Sequence, residues 1–273
     1  MARAQHRLIV FANEKGGTGK STSCVHTAVA LSMQGRKVAL IDLDARQKTA
    51  ARYLENREAT AKRRGITLPT PAFVAYGGDD VGELDALVAR MSEDIDFLIV
   101  DTPGRDDVLA RHIATRADTL VTPINDSFVD LDLIGEVDAE TFRVKRPSFY
   151  AELIWDARKA RAKSDGVSID WVLLRNRLHH MEARNQKRVG EALGDLAKRV
   201  GFRVIPGLSE RVIFRELFPS GLTLLDKGHL GDLGVSHIAA RQELREMMAG
   251  LSLSDRTPAE PVPAKRAKAP EPA

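Results

Sequence analysis

The stretch NEKGGTGKST, residues 13–22, decides the fold of this chain. It stands between an apolar run, LIVFA (8–12), and a stretch of helical character that continues to Gly35. A glycine-rich turn between a strand and a helix brings backbone N–H groups against phosphate oxygens, and the positive end of the helix faces the same point. The sequence therefore predicts a phosphate-binding loop near the start of the chain.

The polar residues of this loop have predicted contacts with MgATP. Lys20 is expected to reach the β- and γ-phosphates, the Ser21 hydroxyl to ligate Mg²⁺, and Thr22 to contact the α-phosphate. The motif departs from the pattern G-x-x-x-x-G-K-[ST] because Glu14 occupies the first glycine position. The predicted nucleotide contacts in the loop are Lys15, Gly16, Gly17, Thr18, Gly19, Lys20, Ser21 and Thr22.

Apolar runs alternate with amphipathic stretches as far as residue 253, which predicts one α/β unit. Runs without polar alternation, separated by helices, favour parallel strands that are covered on both faces. We expect a doubly wound, mostly parallel sheet with helices on both faces, of the P-loop NTPase type, and a ligand at the carboxyl ends of the strands. Residues 148–166 are expected to form a helix that projects from the sheet, and Trp155 and Trp171 to be packing residues. The strands expected besides 8–12 are 37–42, 96–101, 118–124, 170–175 and 202–207.

Composition excludes several classes of protein. The single cysteine among 273 residues rules out a disulfide framework or a zinc site of paired cysteines within one chain. No apolar run approaches the roughly 20 residues of a membrane helix, so we expect a cytoplasmic protein. Residues 254–273 hold five of the twelve prolines and are expected to be a disordered tail behind an ATPase domain spanning 1–253.

Three aspartates follow predicted strands. Asp42 and Asp44 lie in IDLDARQ (41–47), and Asp101 lies in LIVDTPG (98–104). An aspartate after a strand can also be the N-cap of the next helix. Their repetition at successive strand ends, after a phosphate loop, favours a group that serves a bound metal ion.

The segment KGGTGKS, residues 15–21, resembles the ParA/MinD family of deviant Walker A ATPases. The resemblance implies that Lys15 reaches across a nucleotide-sandwich homodimer to the phosphates of the partner. A cation there would stabilise the charge that develops on the γ-phosphoryl group. The sequence shows no use for Lys15 within a monomer.

The same resemblance implies roles for the residues at the strand ends. Asp42 would support the Mg²⁺ shell, Asp44 would position the attacking water, and Asp101 would hold a Mg²⁺-bound water. The Gly104 backbone would sense the γ-phosphate. The catalytic set is then Lys15, Lys20 and Asp44, and the metal set is Ser21, Asp42 and Asp101.

The base site is expected near two further strand ends. Asn176 follows the strand 170–175, and Pro206 lies near the end of the strand 202–207. Members of the family contact adenine with residues at such places. Asn176 can equally be a simple turn residue, and the two interpretations stay open.

Later segments resemble the MipZ group of division-site positioning ATPases within that family. The most specific are TPINDSFVDLD (122–132), WVLLRNRL (171–178) and RVIFRELFPSGLTLLD (211–226). This resemblance implies an ATP-dependent homodimer that is recruited by a ParB-type centromere-binding protein and inhibits FtsZ assembly.

Two other functions remain open. A ParA-type chromosome or plasmid partitioning ATPase usually has a proline after the aspartate that corresponds to Asp44, where this chain has Ala45 and Arg46. A small ATP-dependent ligase of the same fold is a different class of enzyme, and its ATP turnover would depend on a co-substrate. A membrane-cycling relative would end in a basic amphipathic helix, which the Pro/Ala tail is not.

Basic residues are concentrated in residues 175–215, where ten Lys/Arg stand against four Asp/Glu. On a helix over 184–200 an apolar stripe is expected opposite a basic face. We expect that face to bind DNA without sequence preference and to associate the ATP dimer with the nucleoid, although an ordinary solvated face remains the alternative. The predicted DNA contacts are Arg184, Lys187, Arg188, Lys198 and Arg199.

Overall fold

The computed structural model describes residues 6–125, 128–138, 144–176, 183–230 and 235–253. Seven parallel strands form one sheet in the order β3-β2-β4-β1-β5-β8-β9, and β6 and β7 form a separate antiparallel pair. The predicted tail, 254–273, lies outside the described residues. The strands are β1 (Arg7–Phe11), β2 (Val38–Asp42), β3 (Ala72–Ala75), β4 (Phe97–Asp101), β5 (Thr119–Asn125), β6 (Gly135–Val137), β7 (Val144–Pro147), β8 (Asp170–Asn176) and β9 (Arg203–Pro206).

Nine α-helices are described. Among the described residues, no helix combines the length and the apolar character needed to cross a bilayer. The helices are α1 (Lys20–Met33), α2 (Thr49–Arg64), α3 (Val81–Met91), α4 (Val108–Arg116), α5 (Phe128–Leu131), α6 (Phe149–Asp165), α7 (Ala183–Val200), α8 (Val212–Leu217) and α9 (Val235–Leu251).

The sheet is apolar on both faces, as its sequence predicts. Ile9 and Phe11 of β1 pack into a layer with α1, α2, α8 and α9. Leu8 and Val10 pack on the opposite face with α3, α4, α6 and α7. The predicted doubly wound parallel sheet is confirmed, and each of the six predicted strands has its counterpart in the sheet.

Two predictions are wrong: that the helix over 148–166 projects from the sheet, and that Trp155 is a packing residue. Helix α6 does not project from the sheet, because Tyr150, Ala151 and Ile154 are buried against it. Trp171 packs in the core, whereas Trp155 is 41% exposed. The short edge strand β3 and the β6–β7 pair had no prediction.

A buried ion pair fixes the second half of α2. The Arg57 guanidinium donates two hydrogen bonds of 2.8 Å to the Asp226 carboxylate, and both side chains are essentially inaccessible. Arg57 also donates to the carbonyl oxygens of Pro69 and Gly221. A buried charge with this many partners is satisfied, so the pair connects α2 to two loops that are distant in the sequence.

Candidate functional site

The phosphate loop lies at the carboxyl edge of the sheet between β1 and α1. Strand β4 pairs with β1 on one side and with β2 on the other, and Asp101 stands opposite both Phe11 and Asp42. In-register parallel pairing therefore brings the ends of β1, β2 and β4 together. Lys20, Ser21 and Asp44 line one cleft at this edge, whereas Asp42 and Asp101 lie fully buried at the strand ends and do not line it.

This cleft has a volume of about 490 Å³. Gly19 adopts the left-handed conformation at φ 85°, which lets the chain turn into α1. Gly104 lies so close to the loop that a Cβ there would be 2.8 Å from the Gly16 Cα. The lining residues are Gly16, Gly17, Gly19, Lys20, Ser21, Thr22, Asp44, Arg46, Gln47, Thr49, Thr102, Gly104 and Arg105.

Lys20 is held inside the loop. Its side chain is buried, and Nζ donates a 2.8 Å hydrogen bond to the Lys15 carbonyl oxygen. Burial lowers the pKa of Lys20, while the charges of Asp101 and Asp44 act in the opposite direction. A cation in this position can bind phosphate oxygens strongly, because little water screens it.

Asp101 is suited to a bound cation. The carboxylate is fully buried, and apart from the nearby Ser21 hydroxyl neither oxygen has a hydrogen-bond partner among the described residues. Burial and the charge of Asp42 raise the pKa of Asp101 to about 8, against the opposing influence of Ser21 and Lys20. These buried oxygens, beside a glycine loop with a serine hydroxyl, fit Mg²⁺.

Within the described residues no three His, Cys, Asp or Glu side chains form a metal cage. Proteins bind Mg²⁺ through one or two carboxylates together with phosphates, and the ion keeps several waters. Ser21, Asp42 and Asp101 are the residues that would serve it. When bound, the ion neutralises charge between the β- and γ-phosphates.

Asp42 supports the backbone that follows it. Its carboxylate accepts hydrogen bonds from Asp44 N at 2.9 Å and from Ala51 N at 3.0 Å. Burial raises its pKa, and these bonds oppose the rise. Asp44 is half-buried at the cleft, and its Oδ1 accepts from the backbone of Arg46 and Gln47 at 3.2–3.3 Å. Asp44 lines the cleft, and its role in orienting a water stays a prediction.

Lys15 has a use within the monomer, which corrects the expectation from the sequence. Its Nζ forms an ion pair with Asp130 of α5. Asp130 is 1% exposed, and its other oxygen accepts a 3.0 Å hydrogen bond from Asn125 N at the end of β5. Asp130 could not be found from a local pattern, because this contact joins residues that are 115 positions apart.

A smaller cavity of about 120 Å³ adjoins the phosphate cleft, and Gly19 and Thr22 line both. Asn176 lines it and uses its amide group on the protein: Nδ2 donates to Thr18 O at 2.9 Å and Oδ1 accepts from Leu208 N at 2.8 Å. Pro206 is exposed and is not part of the lining. That this cavity receives the base of the nucleotide stays a prediction, and we call it the base pocket on that expectation.

Some basic side chains of the region 175–215 are engaged with other parts of the protein. Arg203 forms an ion pair with Asp170, and Arg199 donates to the Val144 carbonyl oxygen. Lys198 and Arg199 are exposed on α7. The side chains of Arg184, Lys187 and Arg188 lie outside the described part of the structure. The buried stripe of α7 comprises Val189, Leu193, Leu196 and Val200, as its periodicity predicts.

A glycine loop between β1 and α1, a buried lysine and aspartates at neighbouring strand ends define a P-loop protein that binds a nucleoside triphosphate. The family model described as ATPase MipZ matches residues 7–255, and the chain belongs to this family. It is an ATPase of the ParA/MinD type, with ATP and Mg²⁺ as its cofactors.

Individual proteins resemble it more distantly. The uncharacterized ATP-binding protein MJ0169 of Methanocaldococcus jannaschii is 31% identical over 147 residues, which cover 45% of this chain and 56% of that protein. The septum site-determining protein MinD of Helicobacter pylori is 27% identical over 61% of this chain and 73% of its own length. MinD from Pyrococcus horikoshii, solved with Mg-ADP, aligns with a TM-score of 0.59 at 17% identity, covering 91% of this chain and 96% of that one, and supports the fold.

Proposed function

We propose that this ATPase is a molecular switch whose ATP form is a homodimer that positions the cell-division site. The observation that carries the proposal is Lys15 at the rim of the phosphate cleft, within a chain of the MipZ family. Its side chain is 42% exposed, and its only described ion pair is with Asp130. A second copy that offers a γ-phosphate would compete with that carboxylate for the ammonium group.

The dimer is a two-fold sandwich with both nucleotides between identical faces. In it, Lys15 of each protomer contacts the phosphates bound to the other and contributes to hydrolysis. Lys20 holds the phosphates in its own protomer, and Asp44 orients the attacking water. Asn176, which lines the base pocket, is the proposed neighbour of the base, whereas Pro206 lies outside that pocket.

Light scattering with size-exclusion chromatography tests the switch. Asp44→Ala should bind MgATP, hydrolyse it slowly and accumulate as a dimer, because the phosphate cradle remains intact. Lys15→Ala should bind MgATP and stay monomeric, and it serves as the matched variant. An Asp44→Ala protein that is saturated with ATP yet monomeric would refute the switch.

The ATP dimer is proposed to bind DNA without sequence preference and so to associate with the nucleoid. The contacts would be to phosphates, from Lys198 and Arg199 on the exposed face of α7 and from Arg184, Lys187 and Arg188 on the same helix. Each lysine or arginine replaced by alanine should reduce the salt slope of binding by about one. Fluorescence anisotropy with random duplexes at two salt concentrations, with and without ATP, measures this. ATP-independent or salt-insensitive binding would contradict it.

The proposed partners are a ParB-type protein, which recruits the ATPase, and FtsZ, whose assembly it inhibits. A nucleotide-dependent pull-down with both proteins separates the alternatives. Capture of ParB without FtsZ would favour a ParA-type partitioning ATPase. ATP turnover that required a small co-substrate would favour a ligase.

A further inference from the structure

Residues 208–211, between β9 and α8, form one wall of the base pocket, which also includes Phe214 of α8. The pocket shares Gly19 and Thr22 with the phosphate cleft. If MgATP occupies that cleft as proposed above, the adenine base is close enough to enter this pocket. An aromatic ring beside a peptide wall suits the flat face of a purine.

Two side chains hold this loop in place. Asn176 accepts from Leu208 N, as described above. Glu243 of α9 receives four hydrogen bonds: from Ser209 N at 3.1 Å, from Ser209 Oγ at 2.9 Å, and from Arg211 Nε and Nη2 at 3.3 and 2.5 Å. Glu243 is therefore the acceptor that fixes both ends of the segment 209–211.

The part of α9 that carries Glu243 is anchored in the hydrophobic core. Ala240, Leu244 and Met247 of the same helix are fully buried in the core layer that contains α1. Burial alone would raise the pKa of Glu243, but hydrogen bonds from Arg211 and Ser209 outweigh it and lower the pKa. Glu243 is thus ionised at neutral pH, which makes its hydrogen bonds to the loop charge-assisted.

Glu243 itself does not line the base pocket or the phosphate cleft. We propose that Glu243 is a positioning residue for the base of ATP: it holds Ser209 and Arg211 so that the pocket wall is formed before the nucleotide arrives. A preformed wall improves affinity because binding then need not order the loop. The link between this wall and the P-loop runs through Asn176, which bonds to Thr18 O and Leu208 N, and not through Glu243, so we expect the effect of Glu243 to fall on the base.

Isothermal titration with two probes separates base binding from phosphate binding. MgATP carries the base, and magnesium tripolyphosphate carries only the phosphates. Glu243→Gln should weaken MgATP binding about tenfold, which corresponds to the loss of one charged hydrogen bond, and should leave tripolyphosphate binding unchanged. Glu246→Gln is the matched control, because Glu246 lies on the same helix and bonds to Gln242 instead. It should bind both probes like the parent protein.

The pair of residues can be tested by a double-mutant cycle. Arg211→Met should weaken MgATP binding, and the combination with Glu243→Gln should add little, because both variants break the same contact. Ser209→Ala removes one hydrogen bond without disturbing a charge. It should cause a smaller loss that is again confined to MgATP, and it keeps the test decisive if Glu243→Gln does not fold.

Normal MgATP affinity in Glu243→Gln would overturn the assignment. So would an equal loss of both probes in a folded variant, which would make Glu243 a general structural support. Failure of the parent protein to bind MgATP at all would instead overturn the proposed function on which this inference rests.

Discussion

Lowering the pH from about 7.5 to about 4.5 should destabilise the protein through His26. This histidine of α1 is fully buried, with Tyr53 and Phe214 packed edge-on against its ring. Its Nδ1 lies 2.8 Å from the Thr22 carbonyl oxygen, which can only accept, so Nδ1 carries the proton of the neutral ring. Nε2 has no hydrogen-bond partner among the described residues. A second proton on this ring would therefore be buried without compensation.

Burial lowers the pKa of His26 from 6.5 to about 4. Above the unfolded value both states are neutral, and the stability is fully present. Between the two values the unfolded chain binds a proton that the native state does not, so stability falls as the pH falls. At about 1.4 kcal/mol per pH unit, the loss over this interval is about 2.5 kcal/mol in the free energy of unfolding.

Urea denaturation followed by circular dichroism, at both pH values, measures the loss. His26→Phe is the matched variant, because phenylalanine keeps a ring in place and removes the titrating group. Its lost hydrogen bond to Thr22 affects both pH values alike. The other titrating groups are common to both proteins, so the difference between their pH dependences belongs to His26. Equal pH dependence in the two proteins would refute the reasoning.

Lys20→Gln should abolish MgATP binding in calorimetry, because the cation of the loop is gone; normal affinity would mean that ATP binds elsewhere. Asp130→Asn removes the carboxylate that pairs with Lys15 and should let the ATP form dimerise at a lower protein concentration in light scattering. Unchanged dimerisation would show that the pair does not compete with assembly. Asp226→Asn leaves the charge of Arg57 buried and should cost about 3–5 kcal/mol in urea denaturation, and a loss under about 1 kcal/mol would contradict a dry ion pair.

The phosphate cleft could be predicted because its residues are set by short, local patterns. A glycine turn after β1 and aspartates at the ends of β2 and β4 are visible along the chain, and parallel pairing brings those ends together. The contacts that support the cleft, by contrast, join residues that are far apart in the sequence. Asp130 and Glu243 act through partners 115 and 32–34 positions away, and no spacing in the sequence marks them.

Strand β3 was not predicted and helix α6 was predicted in the wrong position, and both failures have physical reasons. Strand β3 is four residues long, lies at the edge of the sheet and is only partly buried, so its apolar signal is weak. Helix α6 carries many charged residues and has a mixed pattern, from which its buried face, Tyr150 and Ile154, could not be separated. Its position depends on packing against α4 and α7, which the sequence does not state.

The ion pair between Arg57 and Asp226 has a mechanical consequence for the loop that carries Asp44. Helix α2 begins at Thr49, immediately after that loop, and its second half is clamped to distant parts of the chain by Arg57. A slide of the whole helix would break the four hydrogen bonds that Arg57 donates. Any displacement of the loop has to be absorbed between Asp42 and the first turns of α2. The Arg57–Asp226 ion pair therefore holds one end of this region in place. Only the short segment between Asp42 and the first turns of α2 is left to move, and its short length limits how far Asp44 can shift.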